Sequence, residues 1–86
     1  MTAMTRDEVL TWLRGQLVEV LEVEPDEVDF DTDFAEDLDA DSIDLIEVVN
    51  NLEREFKIVI EEEELYDIAT VGQLVDIVER HQARSA

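Results

Sequence analysis

The stretch Asp39-Ala-Asp-Ser-Ile-Asp-Leu-Ile-Glu-Val-Val49 contains the change of pattern that decides the fold. Closely spaced aspartates give way to apolar residues at helical spacing, which predicts a helix from Ser42 to about Phe56. Serine is a favoured N-cap residue, and the first turn of a helix carries unpaired N–H groups and the positive end of the dipole. We therefore expect Ser42 to cap this helix, where a phosphate on its hydroxyl would be well placed. The predicted core-facing residues of the helix are Leu45, Val48, Val49, Leu52 and Phe56.

The residues before this stretch predict a first helix and a long loop. Thr5 and Glu8 have the spacing of a capping box, and apolar residues at helical steps follow, so the first helix should run from Arg6 to about Glu22. Pro25 then breaks the pattern. The segment from Val23 to Asp41 is predicted to be a loop that is held to the helices by its apolar residues, Val28, Phe30, Phe34 and Leu38.

The residues after the second helix predict one short and one long helix. The run Glu61 to Glu64 should begin a helix of one or two turns that ends near Tyr66 or Asp67. Thr70 and Gln73 again have capping-box spacing, and the last helix should extend to about His81, with a frayed tail from Gln82. The 86 residues are therefore predicted to form one all-α domain, a small four-helix bundle with three longer helices and one short one.

Composition limits the possible partners and compartments. The chain has 25 Asp and Glu residues against 6 Lys and Arg residues, a formal net charge of −19, and no cysteine. So acidic a protein should repel nucleic acids and anionic membrane surfaces and should bind partners that present basic patches. There is no apolar run long enough for a membrane span, no leader pattern and no protein thiol for catalysis or disulfides, so we expect a cytoplasmic monomer.

Two other kinds of site are poorly supported by the sequence. Asp37, Asp39 and Asp41 have the spacing of the first calcium ligands of an EF-hand, but Ser42 replaces its glycine and Val48 its bidentate glutamate. No specific metal site is predicted, although the clustered carboxylates should bind divalent ions loosely. Serine catalysis is not expected either, because the only histidine, His81, lies near the far end of the last helix, where it should be solvated or interact with the helix dipole.

The run from Asp33 to Phe56 resembles the prosthetic-group attachment region of the acyl carrier proteins, with Asp41-Ser42-Ile43 in place of an Asp-Ser-Leu motif. The resemblance extends to the first helix, the Glu24-Pro25 loop and the segment Ile68 to Leu74, and so covers nearly the whole chain. It implies that Ser42, flanked by Asp41 and Ile43, receives phosphopantetheine from coenzyme A through a phosphopantetheinyl transferase. The chain would then be a carrier of acyl thioesters and not an enzyme. The short third helix, poor in apolar anchors, would be the movable wall of a shelter for the acyl chain.

The same resemblance implies a surface on the second helix where acyl synthases and transferases with basic patches dock. Its residues would be Ile43, Asp44, Ile46, Glu47, Asn50 and Glu53. Arg54 interrupts the acidic rim of this surface, and Asp39 stands where the family usually has glycine, a position that requires left-handed backbone. The sequence leaves three functions open: a carrier for fatty-acid synthesis, a carrier for polyketide or other specialised synthesis, and an acidic interaction module without a cofactor.

Overall fold

The computed structural model describes residues Thr5–Arg84, which contain four α-helices. They are α1 (Arg6–Leu21), α2 (Ser42–Phe56), α3 (Glu62–Tyr66) and α4 (Val71–Arg84), and a single 3₁₀ turn at Pro25–Glu27 lies in the long loop. The predicted all-α bundle of three longer helices and one short helix is confirmed. Among the described helices, none has the length and apolar character needed to cross a membrane.

The core forms where α1 packs against both α2 and α4. Leu13 and Leu17 of α1 are fully buried with Leu52 of α2 and Leu74 of α4. Within each helix the buried residues recur mainly at three- and four-residue steps, so each helix presents one apolar stripe to the others. Two of the residues predicted to face the core, Leu45 and Phe56, are only partly buried and pack at its edge.

The helix ends follow local sequence rules. Thr5 and Glu8 form the predicted capping box of α1, with the Glu8 N–H donating to Thr5 Oγ1 at 3.2 Å. The main chain leaves α1 at Glu22 and α2 at Lys57 through left-handed residues, each with φ of 57°. The last helix ends at Arg84 instead of near His81, so it includes the first three residues of the predicted frayed tail. Ser85 and Ala86 lie outside the described residues.

The long loop is joined to the start of α4 by backbone hydrogen bonds. Val71 N–H donates to Thr32 O at 2.9 Å and Gly72 N–H donates to Phe30 O at 2.8 Å. The first N–H groups of a helix have no partner within the helix, so these loop carbonyls cap α4 while α4 holds the loop in place. We call this pairing the loop strap. It fixes the loop that leads to α2, and the loop's predicted anchors are buried at Val28, Phe34 and Leu38, with Phe30 partly buried.

Candidate functional site

The start of α2 is capped by Asp41 and not by Ser42. The Asp41 carboxylate accepts a hydrogen bond from the Asp44 N–H at 2.9 Å, and the Asp44 carboxylate accepts one from the Asp41 N–H at 3.4 Å. This reciprocal pair is a capping box, and it makes Ser42 the first residue inside the helix. The prediction that Ser42 itself is the N-cap is therefore wrong. The sequence does contain the correct pattern, because an acidic residue lies three positions after Asp41 but an apolar one lies three positions after Ser42.

The hydroxyl of Ser42 is exposed, and it makes no hydrogen bond within Thr5–Arg84. The Asp44 N–H already donates to the Asp41 carboxylate. The N–H groups of Ser42 and Ile43 are therefore the first-turn donors without a partner in the helix. These N–H groups and the helix dipole favour negative charge beside the hydroxyl. The negative charges of the neighbouring aspartates repel a phosphate at this place. A phosphate on Ser42 would therefore be stabilised by the backbone N–H groups and destabilised by the surrounding carboxylates.

The loop reaches Asp41 through a left-handed residue at Asp39, where φ is 55°. Aspartate tolerates this region better than most residues, so the turn that glycine usually makes in the family is preserved, as predicted. The Ala40 N–H that follows donates to Phe34 O at 2.8 Å, which ties the end of the loop to its buried part. Ser42 therefore follows a turn whose backbone is hydrogen-bonded to the buried part of the loop.

Ser42 lies on the edge of an open groove of about 380 Å³. One wall of the groove is the loop Asp33–Glu36, the other is the pair Ile68 and Ala69, and Leu45 belongs to its lining. This volume is at the lower end of the range of about 300–1,000 Å³ found for small-molecule sites. A group attached to Ser42 would thus begin next to a partly apolar surface between the loop, α2 and the segment that follows α3.

Similarity to known proteins agrees with this geometry. The phosphopantetheine attachment site family matches residues 11–78. An acyl carrier protein from Petrotoga mobilis is 41% identical over 75 residues, which are 87% of this chain and 88% of that protein. The chain is a member of the acyl carrier protein family. Another acyl carrier protein, from Wolinella succinogenes, is 47% identical over 70 residues, 81% of this chain and 92% of that protein. The crystal structure of the acyl carrier protein from Thermotoga maritima has a TM-score of 0.86 at 31% identity, covering 100% of both chains.

Members of this family are carriers and not catalysts, and their prosthetic group is covalently attached phosphopantetheine. The start of α2 fits such a group, since it combines an exposed hydroxyl, a helix N-terminus and an adjoining groove. The thiol at the end of phosphopantetheine holds acyl groups as thioesters. A carrier needs no catalytic base beside the hydroxyl, and the nearest carboxylates, those of Asp41 and Asp44, are engaged in the capping box.

On the carrier's second helix, four of the six residues expected to meet partners are exposed. They are Ile43, Ile46, Glu47 and Asn50, which we call the docking face, and the two isoleucines are 76% and 47% exposed. Asp44 is half-buried, and its carboxylate completes the capping box. Large apolar side chains left this accessible beside carboxylates are typical of a protein-binding surface.

Glu53 has a different position from the one predicted. Its side chain is half-buried, and its carboxylate accepts a hydrogen bond from the Ile60 N–H at 2.7 Å. We therefore assign Glu53 to holding the segment before α3, and we leave it out of the docking face. Arg54, the cation next to it, donates to the Asn51 side-chain oxygen at 2.6 Å and lies beside the exposed Val59.

His81 is neither solvated nor simply a partner of the helix dipole, which corrects the prediction for it. Its ring is half-buried on α4, and its Nε2 lies 3.1 Å from Oε2 of Glu64 on α3. Burial raises the pKa of Glu64, but the hydrogen bond from Glu61 N–H, the contact with His81 and the charge of Arg80 together hold that pKa below its ordinary value. Sequence reasoning missed this contact because its two residues are 17 positions apart and belong to different helices.

Proposed function

We propose that this acyl carrier protein holds acyl intermediates on a phosphopantetheine arm attached to Ser42 and passes them between enzymes of fatty-acid synthesis. The observation that carries the proposal is the Ser42 hydroxyl itself, which is exposed, without a hydrogen bond in the described chain, and situated at the first residue of a helix capped by its neighbour. The acyl-carrier part of the proposal is supported by relatives named acyl carrier protein that match over 88% and 92% of their own lengths.

Attachment requires a partner enzyme. The Ser42 oxygen attacks the phosphorus of coenzyme A that bears the pantetheine arm, a new P–O bond forms, and the adenosine bisphosphate leaves. The hydroxyl proton must pass to a base of the phosphopantetheinyl transferase, because Asp41 and Asp44 bind backbone N–H groups and His81 lies on α4 against Glu64. Clustered, solvated carboxylates are in any case weak bases near neutral pH.

The docking face gives the carrier a way to bring Ser42 to such enzymes. Ile43 and Ile46 supply apolar contact, and Glu47 attracts basic residues of the partner. With a net charge of −19, long-range attraction should speed the encounter with basic surfaces. Once docked, the tether keeps the acyl group at high effective concentration near the partner's active site.

A mass measurement tests the attachment. The purified chain is incubated with coenzyme A and a promiscuous phosphopantetheinyl transferase, and its intact mass should rise by one phosphopantetheinyl group. Ser42→Ala should show no increase, while Ser85→Ala, which removes the only other serine, should be modified like the wild type. An unmodified wild-type chain would support the cofactor-free interaction module, and a modified Ser42→Ala variant would refute the assignment of the site.

A second measurement tests the pathway. The carrier is isolated from its host with its cargo attached, and the acyl groups are identified by mass. Fatty-acid synthesis predicts saturated, unsaturated and 3-hydroxy chains that differ by two-carbon units. Cargo that consists of polyketone chains or other specialised acyl groups would refute the fatty-acid pathway and support the alternative one. The proposed carrier function would still hold.

A further inference from the structure

Helix α3 contributes little to the packing of the bundle. None of its five residues is buried, and the main helix contacts in the described chain are those of α1 with α2 and α4. Its apolar attachment consists of the partly buried Leu65 and of the residues on either side, the buried Ile60 and the partly buried Ile68. An element with so few buried contacts should separate from the bundle at low free-energy cost.

A polar contact connects α3 directly to α4. Oε2 of Glu64 lies 3.1 Å from Nε2 of His81, and the two side chains are only 26% and 17% exposed. The same oxygen accepts the Glu61 N–H at 3.0 Å, which closes the first turn of α3. A single carboxylate oxygen thus holds the helix together and joins it to its neighbour.

The position of α3 also determines the shape of the groove beside Ser42. Ile68 and Ala69 form one wall of that groove, and they follow the last residue of α3, Tyr66, after a single intervening residue. If α3 moves away from α4, Ile68 moves with it and its end of the groove widens, while Ala69 O keeps its hydrogen bond from the Phe34 N–H. The Glu64–His81 contact resists that movement.

We propose that the Glu64–His81 contact is a latch that sets how often α3 leaves the bundle, and thereby how well acyl cargo next to Ser42 is sheltered from attack. The part that concerns cargo rests on the proposed carrier function. The part that concerns α3 belongs to the folded chain itself and is measurable without the phosphopantetheine arm.

The chain offers a matched control for the latch. Glu62 is also a glutamate of α3, but it accepts a hydrogen bond at 3.2 Å from Tyr66 Oη in the same helix, and within the described residues it has no hydrogen bond or ion pair to α4. Glu62→Gln and Glu64→Gln therefore make the same chemical change on one helix, and glutamine at position 64 is still able to close the first turn. A difference between the two variants reports the connection to α4.

The first experiment measures amide hydrogen exchange of segment 62–68 in the unmodified protein. Glu64→Gln and His81→Ala should each speed exchange about fivefold, which corresponds to about 1 kcal/mol. The double variant should add less than a further twofold, because both changes weaken the same contact. Glu62→Gln and the core amides of α1 should stay at wild-type rates. Unchanged exchange in both latch variants, multiplied effects in the double variant, or an equal effect of Glu62→Gln would overturn the proposal.

The second experiment measures how fast hydroxylamine cleaves the acyl thioester on the loaded carrier. In the wild type, an octanoyl group should react more slowly than an acetyl group, which is too short to reach far into the groove. The latch variants should raise octanoyl cleavage about fivefold and leave acetyl cleavage unchanged. Equal octanoyl rates in wild type and latch variants would overturn the sheltering role. A chain that takes no acyl group at all would count against the proposed function, and the exchange data on the unmodified protein would still decide whether the latch exists.

Discussion

Replacement of Gly72 by alanine should destabilise the protein, although alanine is the better helix former. Gly72 is the second residue of α4, it is buried, and its N–H donates to Phe30 O at 2.8 Å in the loop strap. A Cβ atom at this position would lie 2.8 Å from the same carbonyl oxygen, well inside the 3.4–4 Å of ordinary contact. The obstructing atom is backbone, so no side-chain rotation relieves the clash.

The size of the effect follows from two opposing terms. Forcing an extra carbon into a filled space costs about 1–3 kcal/mol. The higher helix propensity of alanine returns at most about 1 kcal/mol. With a cost in the middle of that range and the full return from propensity, the net loss should be about 1 kcal/mol. For a domain of this size, each 1 kcal/mol lowers the melting temperature by roughly 4–8 °C.

Gly15 provides the control, since it is an exposed glycine in the interior of α1. A Cβ atom there would have nothing within 4 Å. Gly15→Ala should therefore gain up to about 1 kcal/mol from helix propensity alone and raise the melting temperature. The same substitution is thus expected to have opposite signs at the two glycines of the chain.

Thermal unfolding followed by circular dichroism measures both variants, and amide exchange at residues 71 and 72 reports the strap directly. We expect a lower melting temperature and faster exchange for Gly72→Ala only. If Gly72→Ala were as stable as Gly15→Ala, the loop would be able to move away from α4 without cost, and the strap could not be what positions the approach to Ser42.

Further predictions concern the cap, the docking face and the response to pH and ions. Asp41→Ala should cost about 1 kcal/mol of unfolding free energy, whereas Ser42→Ala should be nearly neutral; equal losses in chemical denaturation would contradict the assigned cap. Glu47→Lys and Ile46→Ala should slow transfer to partner enzymes without lowering the melting temperature, and wild-type transfer rates should fall with added salt; salt-independent rates with an unaffected Glu47→Lys would rule out electrostatic docking. The lowered pKa of Glu64 means that its charge stabilises the fold above the ordinary value of 4.5, a contribution lost as pH falls through the folded-state value. The stability difference between wild type and Glu64→Gln should therefore shrink in acid, and a difference independent of pH would show that the charge is not responsible. Magnesium or sodium chloride should raise the melting temperature by screening the net charge of −19, and an unchanged value would show that the repulsion is too diffuse to matter.

The sequence was most informative where structure depends on neighbouring residues. The capping boxes at Thr5 and Thr70, the extent of α2 and the left-handed turn at Asp39 are all confirmed, because each depends on contacts within a few positions. The error at Ser42 was also local. Two adjacent residues are both good caps, and the choice between them depends on which one has an acidic residue three positions later.

Long-range contacts could not be predicted in the same way. The loop strap pairs Phe30 with Gly72, and the latch pairs Glu64 with His81. Neither pair has a periodic pattern or a motif, since both arise only when the helices are packed. Glu53 shows the same limit, because its place on α2 suits a partner surface while its carboxylate is bound by the Ile60 N–H.

The division of roles between Asp41 and Ser42 has a chemical consequence for the proposed attachment. If Ser42 were the N-cap, its oxygen would accept a backbone hydrogen bond, and esterification of that oxygen would weaken the helix end at every modification. Because Asp41 takes the capping role with Asp44, the Ser42 oxygen keeps its lone pairs for the phosphorus, and α2 has the same cap before and after the reaction. The chain can thus change its covalent state at Ser42 while the docking face next to it keeps one shape, which is what a carrier that meets several partners in turn requires.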